Sequence, residues 1–148
     1  MSRKRENVRQ CKAIRQLIDD NKYTKALELI DAIPLEEVGS LDDLYRYAEL
    51  YEKAERMDKK KEIFYHIYHR THSRYMLNRL LRLTIRMGDM EEARELYFAY
   101  EVAGPITLDT FELRYLLAKA EGEPPERLIQ ILEELKKEEY TEEWGFRL

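Results

Sequence analysis

One kind of turn comes round three times in this chain at a near-constant interval, and that recurrence restricts the fold more than any other feature. Asn21-Lys22-Tyr23-Thr24-Lys25-Ala26, Glu55-Arg56-Met57-Asp58-Lys59-Lys60 and Gly88-Asp89-Met90-Glu91-Glu92-Ala93 align. Their sixth residues lie 34 and 33 positions apart (26 to 60, 60 to 93), and an apolar side chain follows four residues later each time: Ile30, Phe64, Tyr97. Self-similarity at a period of roughly 20 to 50 residues means that one supersecondary unit is reused, each copy too small to bury its apolar face alone.

The third copy shows what the unit is. Leu77, Leu80, Leu81 and Thr84 recur at steps of three and four, and so do Met90, Ala93, Tyr97 and Tyr100, the spacing of one helical face. Between them Gly88 accepts the left-handed conformation that ends a helix, and Asp89 offers a side-chain oxygen to the free N–H groups of the next. Gly104-Pro105 closes an αα-hairpin. The same reading places a helix over 5–20 with Val8, Cys11, Ile14, Leu17 and Ile18 on its apolar face. A second runs from Tyr23 to Ile33, halted by Pro34, and a loop follows. A third, capped by Ser40 or Asp42, carries Leu41, Leu44, Tyr45, Ala48 and Tyr51, and a fourth carries Ile63, Phe64, Ile67 and Tyr68 and ends over 70–73. A seventh follows a Thr107 or Asp109 cap with Phe111, Leu113, Leu116, Leu117 and Ala120, and Gly122 stops it. An eighth opens at Pro124-Pro125, with Leu128, Ile129, Ile131, Leu132 and Leu135 on its face. The turn over 121–125 lacks the pattern of the other three, which leaves the register of this last hairpin open. Charged residues make up 38% of the 148 against only 5 Gly and 4 Pro, a balance that favours long solvated helices over a turn-rich β protein. The fold class expected is all-α.

The period and the Gly88-Asp89-Met90-Glu91-Glu92-Ala93 turn, with Tyr97 and then Pro105, resemble the tetratricopeptide (TPR) repeat, from about Val8 to Leu135. The resemblance implies a single domain over 1–148: a right-handed α-solenoid of about four antiparallel helix pairs, with units over 5–38, 40–72, 73–105 and 107–139. Residues 140–148 would then begin a fifth unit or form a short C-terminal cap. Trp144 would take the slot of Leu44, Leu77 and Phe111 and pack on the eighth helix or its loop, this end being the weakest part of the chain or a contact surface for another copy. Two departures bear on packing: Lys60 stands where the family prefers a small residue, and Glu55 where it prefers glycine. In TPR proteins the first helix of each unit lines a concave groove. That assigns Asn78, Arg82, Ile85 and Arg86 to a binding face, with Arg15, Tyr45 and Glu49 as their neighbours from other units. The implied function is a non-catalytic adaptor or scaffold for a protein or peptide. An Asn-Arg pair suits an acidic group or a C-terminal carboxylate, which a guanidinium grips with two parallel hydrogen bonds, although only one unit has the pair.

Charge distribution carries an alternative. Residues 56–86 hold nine Lys/Arg against two Asp/Glu, while 87–148 hold seven against sixteen. The basic block Arg56 to Arg86 would fit a sensor or regulatory module of a nucleic-acid-associated protein. The N-terminal run Arg3, Lys4, Arg5, Arg9, Lys12, Arg15 is a second basic stretch that would offer a contact to nucleic acid or anionic lipid, but it has no stacking aromatics around it and the chain carries a net charge of −4. His66, His69 and His72 stand close, but zinc on a helix favours four-residue spacing plus a carboxylate or thiolate, and the neighbours here are Tyr65, Tyr68, Arg70 and Arg74. The reading is of polar histidines near a helix C-terminus, where positive charge is favoured, with no metal and no cofactor. No phosphate loop, nucleophile elbow or carboxylate-plus-His grouping points to catalysis. Cys11 has no second cysteine to pair with, no apolar run reaches the roughly 18 residues of a membrane span, and Met1 to Arg5 precede no apolar segment, so a cytoplasmic protein without membrane association is expected.

Overall fold

The computed structural model describes residues 2–145, and the side chains of 5–137 among them. These residues form eight α-helices and one 3-10 helix, with no strand: α1 Ser2–Asp19, α2 Tyr23–Ala32, the 3-10 helix Leu35–Glu37, α3 Leu41–Lys53, α4 Met57–Thr71, α5 Arg74–Met87, α6 Met90–Val102, α7 Leu108–Ala120 and α8 Pro125–Gly145. The expected loop after Pro34 contains the 3-10 turn. The α4 helix stops at Thr71, so Ser73 belongs to α5, where its hydroxyl accepts from the amide of Met76. The α8 helix runs unbroken to Gly145, where a new start near 140 was expected. The Trp144 side chain and residues 146–148 lie outside the described residues. No helix among those described is long and apolar enough to cross a membrane.

Each hairpin reverses through the same backbone device. Asn21, Glu55, Gly88 and Gly122 have φ of 59°, 59°, 83° and 76°, at steps of 34, 33 and 34 residues. At each, the left-handed residue's amide donates to the carbonyl three residues back, on Ile18, Glu52, Ile85 and Lys119. The next amide reaches five residues back, from Lys22 to Leu17, Arg56 to Tyr51, Asp89 to Thr84 and Glu123 to Ala118. This is the Schellman ending, which satisfies carbonyls that a helix C-terminus leaves without partners. The turn at 121–125, unlike the others in sequence, thus has their geometry. The α4 helix ends differently: His72 takes φ 51° and its amide donates to the Tyr68 carbonyl, the simpler left-handed cap.

The helices gather into two compact units, Met1–His72 and Ser73–Leu148. In the first, α1 packs on α2, α3 on α4, and α2 also on α3, around Ile14, Ala26, Leu44, Tyr47, Phe64 and Ile67. In the second, α5 packs on α6 and α7 on α8, while α7 also contacts both α5 and α6, around Met76, Leu80, Leu81, Ala93, Leu113 and Ile131. Full burial of each such large side chain contributes about 1.5 to 3 kcal/mol. Ala26 and Ala93, at the sixth position of their turns, have no exposed surface. Lys60 occupies the same position and is only 7% exposed. It fits because its stem lies inside while its ammonium reaches Glu52 at 3.1 Å and stands 5.3 Å from the Phe64 ring centre. Lysine therefore does not open the packing there. The expected apolar stripes reach beyond the buried surface at the ends: Val8 is 64% exposed, and Ile129 and Leu132 are exposed as well. Gly104 is small for a steric reason. A Cβ there would meet Arg74 Nη1 at 2.8 Å, and Arg74 bonds the carbonyls of Tyr100 and Pro105 at 2.9 and 2.7 Å.

The turn geometry makes opposite predictions for two equivalent residues. A Cβ at Gly88 would meet nothing within 4 Å, so Gly88→Ala should cost only the left-handed penalty, about 1 kcal/mol, and Glu55→Gly should gain up to about the same. Urea denaturation measures both; a destabilised Glu55→Gly would refute the account of the turn. Ala93→Leu, at a closed contact, should lower stability by about 1 to 3 kcal/mol, read from the same curves.

Candidate functional site

The groove positions assigned from sequence fall on α1, α3 and α5, and each unit ties its own by an ion pair. In the second unit, Asn78 and Arg82 sit one turn apart on α5, where side chains four residues apart meet. Arg82 Nε donates to Asn78 Oδ1 at 2.7 Å, and Nη1 reaches Glu112 Oε1 on α7 at 3.2 Å. Asn78 is almost wholly buried, and its amide oxygen orients the guanidinium. Ile85 is half-buried and Arg86 exposed, the latter in the last turn of α5, where a cation is favourable. In the first unit, Arg15 Nε and Nη2 each stand 2.8 Å from an oxygen of Asp43, a two-pronged contact. The Asp43 side chain is 4% exposed, and its hydrogen bonds and charge push the Arg15 pKa up. Tyr45 is half-buried and Glu49 exposed on α3.

Asp43 and Glu112 were missed from sequence, and one of them carried a signal. Glu112 lies ten residues before Gly122, as Asn78 lies ten before Gly88 and Tyr45 ten before Glu55. It therefore holds in its hairpin the position that Asn78 holds in the preceding one. Asp43 has no such signal, being indistinguishable in sequence from Asp42 as a first-turn acid.

A second candidate lies wholly in the first unit: a cleft of about 460 Å³ bounded by α2, the 3-10 helix, α4 and Tyr51 of α3. Two of the three clustered histidines, His66 and His69, line it, whereas the His72 ring stands edge-on to Tyr68 at 6.0 Å. His66 Nε2 is buried without a hydrogen-bond partner. Burial, then the nearby Arg70 charge, holds its pKa below the ordinary 6.5, opposed by Glu36. On the opposite wall the Tyr51 hydroxyl donates to Asp31, which also accepts from Arg56 Nη1 at 2.9 Å. Arg56 holds the Asp31 carboxyl below its usual range, while burial and Asp31 push the Tyr51 phenol up. No group of three or more His, Cys, Asp or Glu among the described residues is placed to hold a metal ion.

The basic block is engaged within the fold. Besides Arg56, Lys59 approaches Glu62 at 3.5 Å and Lys60 reaches Glu52. Arg70 donates to the carbonyls of Gly39 and Leu35 at 3.4 and 3.3 Å, and Arg74 holds two carbonyls in its own unit.

A histidine whose folded pKa is depressed stabilises the fold fully above its unfolded value and loses that contribution as pH falls through the folded value. Between about pH 7 and pH 5, above most carboxylate titration, the wild-type chain should therefore lose more stability than His66→Gln. Urea midpoints at the two pH values test this, and equal losses would show that the imidazole is not desolvated. No protein-family model, no curated protein and no solved structure matches this chain.

Proposed function

We propose that the chain is a TPR-like helical-repeat adaptor, non-catalytic, that binds a protein or peptide through an acidic group or a C-terminal carboxylate at the Asn78–Arg82 surface. The observation that carries this reading is the same Schellman turn at steps of 34, 33 and 34 residues. A helical hairpin reused at that period fits the repeat, and such repeats use their surfaces for recognition. Arg82 supplies the chemistry. Its Nε is held by Asn78, and its Nη1 already meets a carboxylate, that of Glu112. With side chains 36% and 51% exposed, that pair contributes at most about 1 kcal/mol, so an incoming carboxylate displaces Glu112 at small cost. Arg15 is a poorer contact, because drawing it away would strand the buried Asp43 carboxylate. The nucleic-acid reading is weaker, since the cations of the 56–86 block named above already face carboxylates and carbonyls of the fold.

Binding of acidic peptides with free C-termini, followed by calorimetry in low salt, tests the proposal. Arg82→Glu should abolish binding with the circular dichroism spectrum unchanged, and Glu112→Gln should strengthen it about two- to fivefold by removing the competing carboxylate. Equal binding by Arg82→Glu and wild type would remove the surface from consideration.

A further inference from the structure

The cleft of the first unit has a chemistry opposite to that of the Arg82 surface. Its floor is aliphatic, from Ile30, Ile33 and Ile63, all buried. Asp31, Glu36 and Glu62 stand around it, and one lysine, Lys59, shares the lining. Arg56 serves Asp31 from beside the cleft, and Arg70 spends its guanidinium on the carbonyls of Gly39 and Leu35. The Arg70 contacts brace the 3-10 turn that carries Glu36, so this wall is formed before any ligand arrives. Tyr65 adds an aromatic face, its ring stacked at 6.3 Å on that of His69.

We propose that this cleft is a binding site for a basic side chain, arginine or lysine, of a partner peptide. A long basic side chain is apolar along its stem and charged at its tip, and the cleft is apolar at its floor and acidic at its rim. The stem would lie on Ile30, Ile33 and Ile63, and the head would meet Glu36 and Glu62 with charge-assisted hydrogen bonds and the Tyr65 ring from above. An acidic side chain would face three carboxylates there, and an apolar one would gain nothing from the carboxylates of Glu36 and Glu62. The fold already makes this contact once, next door: Arg56 lies 5.0 Å from the Tyr51 ring centre while bonded to Asp31. Lys59 is the competitor, and at 3.5 Å from Glu62, with side chains 40% and 60% exposed, it yields readily. His66 adds no opposing charge near neutral pH, because burial keeps the imidazole unprotonated. The site does not depend on the acidic-ligand surface, which lies in the other unit and selects the opposite charge.

Nuclear magnetic resonance titration of the full chain tests it with three end-blocked pentapeptides, alanine-leucine-X-leucine-alanine, where X is arginine, glutamate or leucine. The arginine peptide should shift amides in 30–36 and 59–69 saturably and bind at least about fivefold more tightly than the other two. Glu36→Gln with Glu62→Gln should weaken it by at least about fivefold, and Lys59→Gln should tighten it about two- to threefold. Absent or non-saturable shifts in those segments would overturn the proposal. So would equal binding of the glutamate or leucine peptide, or an affinity for the arginine peptide untouched by the substitutions. The three-peptide comparison uses the unaltered chain, so its outcome stands whether or not any variant folds.

Discussion

The backbone reversal at Asn21, Glu55, Gly88 and Gly122 is the constraint on which the rest of the structure depends. A helix ends with carbonyls that have no partner inside it, and the left-handed residue turns the chain while two amides return to those carbonyls. Because the same two bonds form at each turn, the second helix of each hairpin leaves in register with the first. In three of the four hairpins the sixth residue of the turn then falls at a closed contact, as Ala26, Lys60 and Ala93. In the fourth, that residue is Arg127 and it is exposed, while Ile131, four further on, is buried like Ile30 and Phe64. The turn survives where the small-residue slot does not, which shows that the two features are physically separable.

Charge in this chain is largely spent on holding elements together. Arg15 joins α1 to α3, Arg56 joins the start of α4 to α2, Arg82 joins α5 to α7, and Arg94 reaches Glu121 at 2.8 Å. Arg114 bonds the Tyr97 hydroxyl at 2.5 Å and stands 3.6 Å from Glu101. Partly exposed pairs like these contribute little stability each, but they decide which surfaces carry an accessible charge. A net charge counted over a segment of sequence misses this, since the block over 56–86 finds partners both inside and outside its own span.

The ion pairs at the candidate positions differ in how committed their charges are. Asp43 is buried against Arg15, so that pair cannot open without leaving a carboxylate in a poorly solvated place. Arg82–Glu112 and Lys59–Glu62 are solvated and exchangeable. On the two proposed readings, binding at either site breaks a pair that costs little, one exposing a guanidinium and the other a carboxylate.

Local physics was legible in the chain. Helix positions followed from three- and four-residue spacing, Pro34 and Gly88 marked ends, and Ser40 and Asp89 lay where a cap was needed; these depend on residues within a few positions of one another, so their signals are written contiguously. The tertiary structure decided what depends on neighbours far along the chain. Lys60 could be buried because Glu52 and Phe64 stand beside it, and Asp43 rather than Asp42 became the partner of Arg15 because only one of the two faces α1. His66 and His69 came to line a cleft through the placement of the 3-10 turn, whereas His72, three residues on, became a helix cap. Val8, periodic with Cys11, stayed in solvent because the stripe is wider than the surface that α2 and α3 cover. Periodicity states which side chains share a face; only the packed neighbours decide how much of that face is removed from water and which charges meet across it.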